Sequence, residues 1–357
     1  MTIPLLIYNL AATLFTAGIF YFLYRNQEER AVERSILLSI VELSFLLLGG
    51  ILFPMDGFGR IQLMTWGLFV HFPIYLIGTI ILLRRHYKFY TNILIVIFAL
   101  VLVVAIDAFL VEPHSLEVTR ITLSSEKITE PVKVALLADI QTDLPGSFEE
   151  RVLDLVKAED PDLILLAGDY LQIMDPDQYL ASVKVLNRLF LEADLSPQLG
   201  SVAVRGNVDR NGWMGIFQGM DVLLFEETKT IDLGPLTITG VDWLDSENPA
   251  LEVSGSEKYH IILGHSPNYS LGAIEGDLLL AGHTHGGQVQ LPGIGPILTL
   301  SAVPRSWASG LSEIHPGQFL LVSRGIGLER GHAPRLRFLC HPELIMIDLL
   351  PLENESE

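Results

Sequence analysis

Four long apolar runs occupy the first third of the chain, at approximately residues 3–24, 35–54, 61–83 and 90–111. A helix needs about 20 residues to cross a hydrocarbon core, so each run is long enough to span a bilayer. Lipid-facing backbone must satisfy its own hydrogen bonds, which restricts these runs to helices. The first run lacks a basic leader and is followed at once by further spans, so it is expected to be a retained helix rather than a cleaved signal.

The loops between the runs carry an uneven charge. Arg25, Arg30 and Arg34 flank the first connection and Arg84, Arg85 and Lys88 fill the third, whereas the second holds only Arg60. Lys and Arg favour cytoplasmic loops, so loops one and three are expected in the cytoplasm, against the opposing presence of Glu28, Glu29 and Glu33. Four spans then place everything after residue 112 on the extracytoplasmic side of a cell (inner) membrane, with the lipid bilayer as the first partner. Glu42, His71 and Asp107 lie inside or near the ends of the spans, where ionisable groups often mark function. Packing against a neighbouring helix, or snorkelling to the interface, is the simpler reading.

Residues 1–112 carry seven basic and seven acidic side chains, so the whole net charge of −19 lies in residues 113–357, as 16 Lys and Arg against 35 Asp and Glu. Such a field repels nucleic acid, and an anionic substrate must be held by metal ions or a few arginines. Cys340 is the only cysteine, which excludes an intrachain disulfide and a thiolate zinc site.

After a linker expected over residues 113–130, the texture changes. VKVALLA precedes the amphipathic SFEERVLDLVK, DLILLAG precedes QYLASVKVLNRLF, and SVAVRG follows. That alternation predicts an α/β layered domain over residues 131–350. Beyond residue 220 the pattern turns to strands: VLLFEE, TIDLG, LTITGVDW, YHIILGH, DLLLAGH, QFLLVSRG and LIMIDL. Residues 351–357 are expected to form an acidic tail.

Polar residues of metal-ligand type end these strands: Asp139 and Gln141 after ALLA, Asp169 in LLAGDY, Asn207 and Asp209 in AVRGNVD, His265 in IILGHS, and His283 and His285 in LLLAGHTHGG. Sites in open α/β sheets collect at the carboxyl ends of strands, so these tips can converge on one cluster. A single strand-end Asp is more often a helix cap or turn former. Two imidazoles at i and i+2 after a buried strand are harder to explain by packing, since burying them without partners is costly. Oxygen and imidazole donors without thiolate suit Mn, Fe, Zn or Mg.

The combined order Asp, Gly-Asp, Gly-Asn-x-Asp, Gly-His, Gly-His-x-His resembles the calcineurin-like metallophosphoesterase superfamily. GHTHGGQVQLP, LLVSRGIG and RFLCHPELIMIDL are similar to its bacterial branch with N-terminal membrane segments, which includes hydrolases of UDP-diacylglucosamine. The resemblance implies a four-layer αββα sandwich and two divalent metal ions, Mn foremost. One ion would take Asp139, Gln141 and His285, the other Asn207, His265 and His283, with Asp169 bridging, and a metal-activated hydroxide would attack phosphorus. Asp169, Asn207 and Asp209 would form the catalytic set, with Asp209 steadying Asn207 or its turn.

Two positions depart from that family. Gln141 stands where histidine is usual; its amide oxygen is a weaker, harder ligand that favours Mn or Mg, or else it orients a water. Val208 stands where a histidine assists the leaving group, help worth about 10²–10⁴ in rate. A phosphodiester or pyrophosphate is therefore expected over a simple monoester, in a phosphorylated, lipid-linked envelope substrate. The alternatives are a non-catalytic membrane sensor or scaffold, or a UDP-diacylglucosamine pyrophosphatase if the domain faces the cytoplasm. Arg210 is the nearest cation to the Asn207 turn. The segment 211–220 is expected to pack in the core rather than form a lip for lipid, and the irregular stretch from Leu291 to Gln318, with Arg305, Trp307 and His315, is the candidate substrate-facing cap.

Overall fold

The computed structural model describes residues 3–26, 30–296 and 298–352, so Glu28, Glu29 and the acidic tail from residue 353 onward lie outside the described residues. The chain forms two compact units: residues 1–110 with 332–335, and residues 111–331 with 336–357.

Among the described residues, four helices are long and apolar enough to cross a membrane, Ile3–Arg25, Ala31–Leu52, Gly57–Leu83 and Lys88–His114, and they make up the first unit up to residue 110. Leucine, isoleucine and phenylalanine are their commonest apolar residues, and many large apolar side chains, such as Leu6, Leu10, Leu14, Leu37 and Ile40, point outward. A water-soluble bundle would bury those side chains; lipid accepts them. The inner face packs Ala12, Leu23, Leu46, Tyr75 and Leu76. Several polar groups inside pair across helices, although Glu42 Oε2 and Thr79 Oγ1 are buried without a partner among the described residues. The Thr16 hydroxyl donates to Glu42 Oε1 at 2.6 Å, His71 Nε2 lies 2.7 Å from Asn9 Oδ1, and Tyr8 donates to the Leu46 carbonyl at 2.8 Å. Glu42 and His71 thus tie neighbouring helices together, while Asp107 is half-buried where the fourth helix widens into a π turn over Asp107–Val111.

The second unit holds two six-stranded sheets. The first runs in the order Glu117–Ser125, Glu343–Pro351, Val132–Leu137, Leu163–Leu166, Ser201–Val204 and Val222–Phe225. The second runs Gly310–His315, Gln318–Val322, Leu278–Ala281, Tyr259–Leu263, Leu236–Gly240 and Lys229–Leu233. Val134, Leu136, Leu165 and Val202 of one sheet meet Ile238, Ile261, Leu278 and Leu280 of the other in a shared core. These central strands are buried on both faces, which is why their sequences are continuous apolar runs instead of alternating ones.

The outer face of the first sheet is covered by the helices Ser147–Glu159 and Pro176–Ala193, through Val152, Val156, Val183, Leu186 and Phe190. Their apolar residues recur at helical spacing, and Asp175 caps the second by accepting from the Gln178 amide. The outer face of the second sheet carries no long helix among the described residues. Short elements lie there instead, among them Trp243–Ser246, the turn Pro267–Leu271 and the paired strands Glu252–Val253 and Ala273–Ile274, with Leu251, Val253 and Tyr269 filling the layer.

Two segments differ from expectation. Residues 113–130 are not a linker throughout, because Glu117–Ser125 forms the edge strand of the first sheet, paired parallel with Glu343–Pro351. The stretch after Leu291 is partly regular, since Gly310–His315 pairs antiparallel with Gln318–Val322 and places His315 on a sheet edge. Both are edge strands whose exposed side chains break the apolar runs that reveal central strands. The segment 211–220 packs as expected: Trp213 and Phe217, in a short turn, lie against Tyr170.

Candidate metal centre

The parallel central strands bring five tips to one place. Val132–Leu137 delivers Asp139 and Gln141, Leu163–Leu166 delivers Asp169, Ser201–Val204 delivers Asn207 and Asp209, Tyr259–Leu263 delivers His265, and Leu278–Ala281 delivers His283 and His285. The chain turns sharply here. Asp139, Gln141, Asp169, His283 and His285 all have left-handed backbone, with φ of 50°, 37°, 56°, 67° and 49°. Each such residue costs about 1–3 kcal/mol of strain, and strain of this kind concentrates at functional sites. The turns also pack too closely for larger residues: a Cβ at Gly206 would lie 2.1 Å from Asp169 Oδ1.

Asn207 Oδ1 lies 3.0 Å from both His265 Nε2 and His283 Nδ1. Asp169 Oδ2 is 3.2 Å from His265 Nε2. His265 Nδ1 is 2.8 Å from the Ala167 carbonyl, which can only accept, so Nδ1 carries a proton and Nε2 is the nitrogen that faces the cluster. His283 turns its Nε2 toward Glu247, 3.7 Å away, and its Nδ1 inward. Such partners on the far nitrogen are how metal-binding imidazoles are oriented. Trp243 walls this side, with its ring centroid 5.6 Å from that of His265 and 5.8 Å from that of His283.

Acceptors converging on His265 Nε2 in this way call for positive charge among them, a proton on Nε2 in the unloaded protein or a divalent ion in its place. Burial opposes a charge on His265, yet the carboxylates of Asp169 and Asp139 overcome it and hold the imidazole up to about 10. Burial, and then the proximity of His265, push His283 down to about 4. Burial raises Asp139 to about 7, although two contacts of 3.0 Å from the His283 amide favour its charged form.

On the other side, both ring nitrogens of His285 and the oxygen Oε1 of Gln141 are buried without a hydrogen-bond partner among the described residues. Leaving such groups unpaired costs about 1–3 kcal/mol each. A Cβ at Gly325 would lie 3.0 Å from Asp139 Oδ2 and 3.1 Å from His285 Nδ1, so these two donors face the same small space. Imidazoles, carboxylates and amide oxygens form a donor set that fits divalent ions, with Asp169, His265 and His283 in one group and Asp139 and His285 facing a second space.

Asp209 is placed differently from the other strand-tip residues. Its two oxygens accept from the amides of Asp169, Tyr170 and Gly206 at 2.8, 2.8 and 2.9 Å. A buried carboxylate occupied by three backbone donors steadies two turns and has no free oxygen to offer a reacting atom. The catalytic role expected of Asp209 is therefore a positioning one. Val208 contributes its backbone, donating to Asp169 Oδ1 at 2.9 Å.

Several contributing residues have no signature in the sequence. Gln172 and Glu329 hydrogen-bond the Gln141 amide. Arg337, fully buried, donates to the carbonyls of Arg324, Gly325 and Gly327, and so fixes the loop whose Gly325 approaches Asp139. Of the irregular stretch, Ala308 reaches the histidine turn, its carbonyl accepting from the Thr284 hydroxyl at 2.6 Å. Arg305 and Trp307 sit in the short turn beside it. A cavity of about 630 Å³ opens beside Asn207 and Val208, walled by Ile173, Met174, Tyr179 and Leu180, with Arg210 at its lining.

The comparisons with known proteins agree with this geometry. The calcineurin-like phosphoesterase family profile matches residues 132–287, which contain every strand tip described above. An uncharacterised metallophosphoesterase of Aquifex aeolicus is 28% identical over 260 residues, covering 67% of this chain and 93% of that protein. Phosphodiesterase YaeI of Escherichia coli is 28% identical over 257 residues, covering 67% and 90%. A transmembrane protein with metallophosphoesterase domain from Danio rerio is 23% identical over 244 residues, covering 59% and 53%. The chain therefore carries a calcineurin-like metallophosphoesterase domain and is a metal-dependent phosphoester hydrolase.

Proposed function

We propose that this protein is a membrane-anchored hydrolase of a phosphodiester or pyrophosphate bond in a lipid-linked envelope substrate. The observation that carries the reading is the cavity of about 630 Å³ beside Asn207 and Val208, which offers apolar wall and two arginines, Arg205 and Arg210, next to the candidate metal centre. An apolar substituent suits Ile173, Met174 and Leu180. Arg210, its guanidinium 4.0 Å from the Met174 sulfur, is placed to meet a second phosphate. The four apolar helices would anchor the chain in a lipid bilayer.

Asp139, Gln141, Asp169 and His285 would hold one divalent ion, and Asp169, Asn207, His265 and His283 the other. Bound there, two such ions lower the proton affinity of water and neutralise charge developing on the phosphoryl oxygens. The chain's own residues orient these donors: Val208 and Asp209 fix the Asp169 turn, and the Ala167 carbonyl fixes the His265 tautomer. Val208 supplies no proton to a departing oxygen, so the leaving group must be stable by itself. Pyrophosphates and aryl diesters meet that condition and alkyl monoesters do not.

The test is a substrate panel on the full chain in nanodiscs with Mn. A polyprenyl diphosphate and an aryl diester should turn over far faster than an alkyl monoester, and Val208→His should narrow that ratio by about tenfold. Equal rates on alkyl monoesters and activated diesters in the unmodified protein would contradict this account of position 208. No turnover of any phosphate by metal-loaded protein would favour a binding-only role.

A further inference from the structure

The amide of Gln141 is held in one orientation by a closed set of hydrogen bonds. The backbone N–H of Arg330, which can only donate, contacts Gln172 Oε1. Gln172 must therefore point its amide nitrogen the other way, where it donates to Glu329 Oε1 at 2.6 Å. Gln141 then faces two acceptors, Gln172 Oε1 at 3.1 Å and Glu329 Oε2 at 3.0 Å. Only its nitrogen satisfies both, so its oxygen is turned away from them. That oxygen is buried and, with both nitrogens of His285, belongs to the orphaned atoms at the candidate centre. The choice between the two ends of an amide is ordinarily ambiguous, and here a backbone donor at the end of the chain of bonds removes the ambiguity. Glu329 is itself fixed, its amide donating to Gln288 Oε1 at 2.7 Å, and Arg330 Nε holds the Gln141 carbonyl at 3.0 Å.

We infer that Glu329 and Gln172 are positioning residues that present the Gln141 side-chain oxygen as a ligand to a hard divalent ion. The inference rests on the two-metal reading of the site. An amide free to turn over would offer that ion an N–H as readily as an oxygen. A locked amide offers only the oxygen, which makes this ion's shell richer in oxygen and biases it toward Mn or Mg over Zn.

The test uses the full chain in detergent and Mn titration, with turnover not required. Glu329→Gln keeps shape but leaves one acceptor oxygen for two amide donors. Because Gln172 is pinned by Arg330, the Gln141 amide keeps only its bond to Gln172 Oε1 and meets a donor at position 329 in its other orientation, so its oxygen is no longer held in one place. One of two Mn sites should weaken about 10–100-fold while the other is unchanged, the range seen when outer partners of ligands are removed. Gln141→Met should give the same loss, and the double variant no further loss, because both changes remove one oxygen. Gln141→His should shift that site's preference from Mn toward Zn. Unchanged Mn affinity in Glu329→Gln, or losses that add in the double variant, would overturn the lock. Fewer than two ions on the unmodified protein would overturn the reading of the centre itself, and with it this inference.

Discussion

The carboxylate of Asp209 reaches from the turn after Val204 to the backbone of Asp169, accepting its amide at 2.8 Å. The Asp169 turn at the candidate centre is thus set in place by a second, buried acid. Burial and the nearby Asp169 charge raise Asp209 to about 6, opposed by its backbone donors.

Asp209→Ala should leave three buried amides without an acceptor. The expected cost is about 3 kcal/mol or more, because each unsatisfied buried donor costs about 1–3 kcal/mol. Denaturant unfolding of the globular unit would show it, and loss of metal should accompany it. A variant as stable as the parent would mean that water replaces the carboxylate at no cost.

Metal uptake should depend on pH in a defined direction. In the unloaded protein His265 is held protonated up to about 10 by the Asp169 and Asp139 carboxylates, and burial keeps Asp139 protonated up to about 7. Both must lose protons to act as ligands, so loading releases protons and affinity rises with pH. Between pH 7 and 8 the gain should be roughly tenfold, and between pH 6 and 7 larger, because Asp139 then also titrates. Mn titration with proton-release measurement checks this; affinity that is flat from pH 6 to 8 would contradict it.

Loop charge sets the expected orientation. A reporter active only outside the cytoplasm should work when fused after Pro113 and be silent after Arg85, given Arg25, Arg30 and Arg34 in loop one and Arg84, Arg85 and Lys88 in loop three. The reverse pattern would place the phosphoesterase unit in the cytoplasm and favour a nucleotide-linked lipid.

The candidate ligands were legible because each follows a continuous apolar run: a strand buried on both faces announces itself, and a polar residue just past its end marks the sheet edge where sites form. Asp139, Asp169, Asn207, His265, His283 and His285 come together for that reason. Gln172, Glu329 and Arg337 gave no such signal, since they sit on loops with no period and act through hydrogen bonds to distant backbone. The edge strands Glu117–Ser125 and Gly310–His315 were missed because half of their side chains face outward. Gln141 was recognised as a departure, but the choice between ligand and water-orienting group depended on Glu329, 188 positions away.

Turnover of an aryl phosphodiester by the full chain, with and without chelator, compared with Asp169→Ala and His283→Ala, tests the central claim most directly. The account predicts hydrolysis that vanishes on chelation and returns with Mn, and its loss in both variants while each stays folded and membrane-bound, because Asp169 and His283 converge with His265 on one cluster and His283 faces Asn207. Wild-type-like turnover in either variant would contradict the two-metal mechanism.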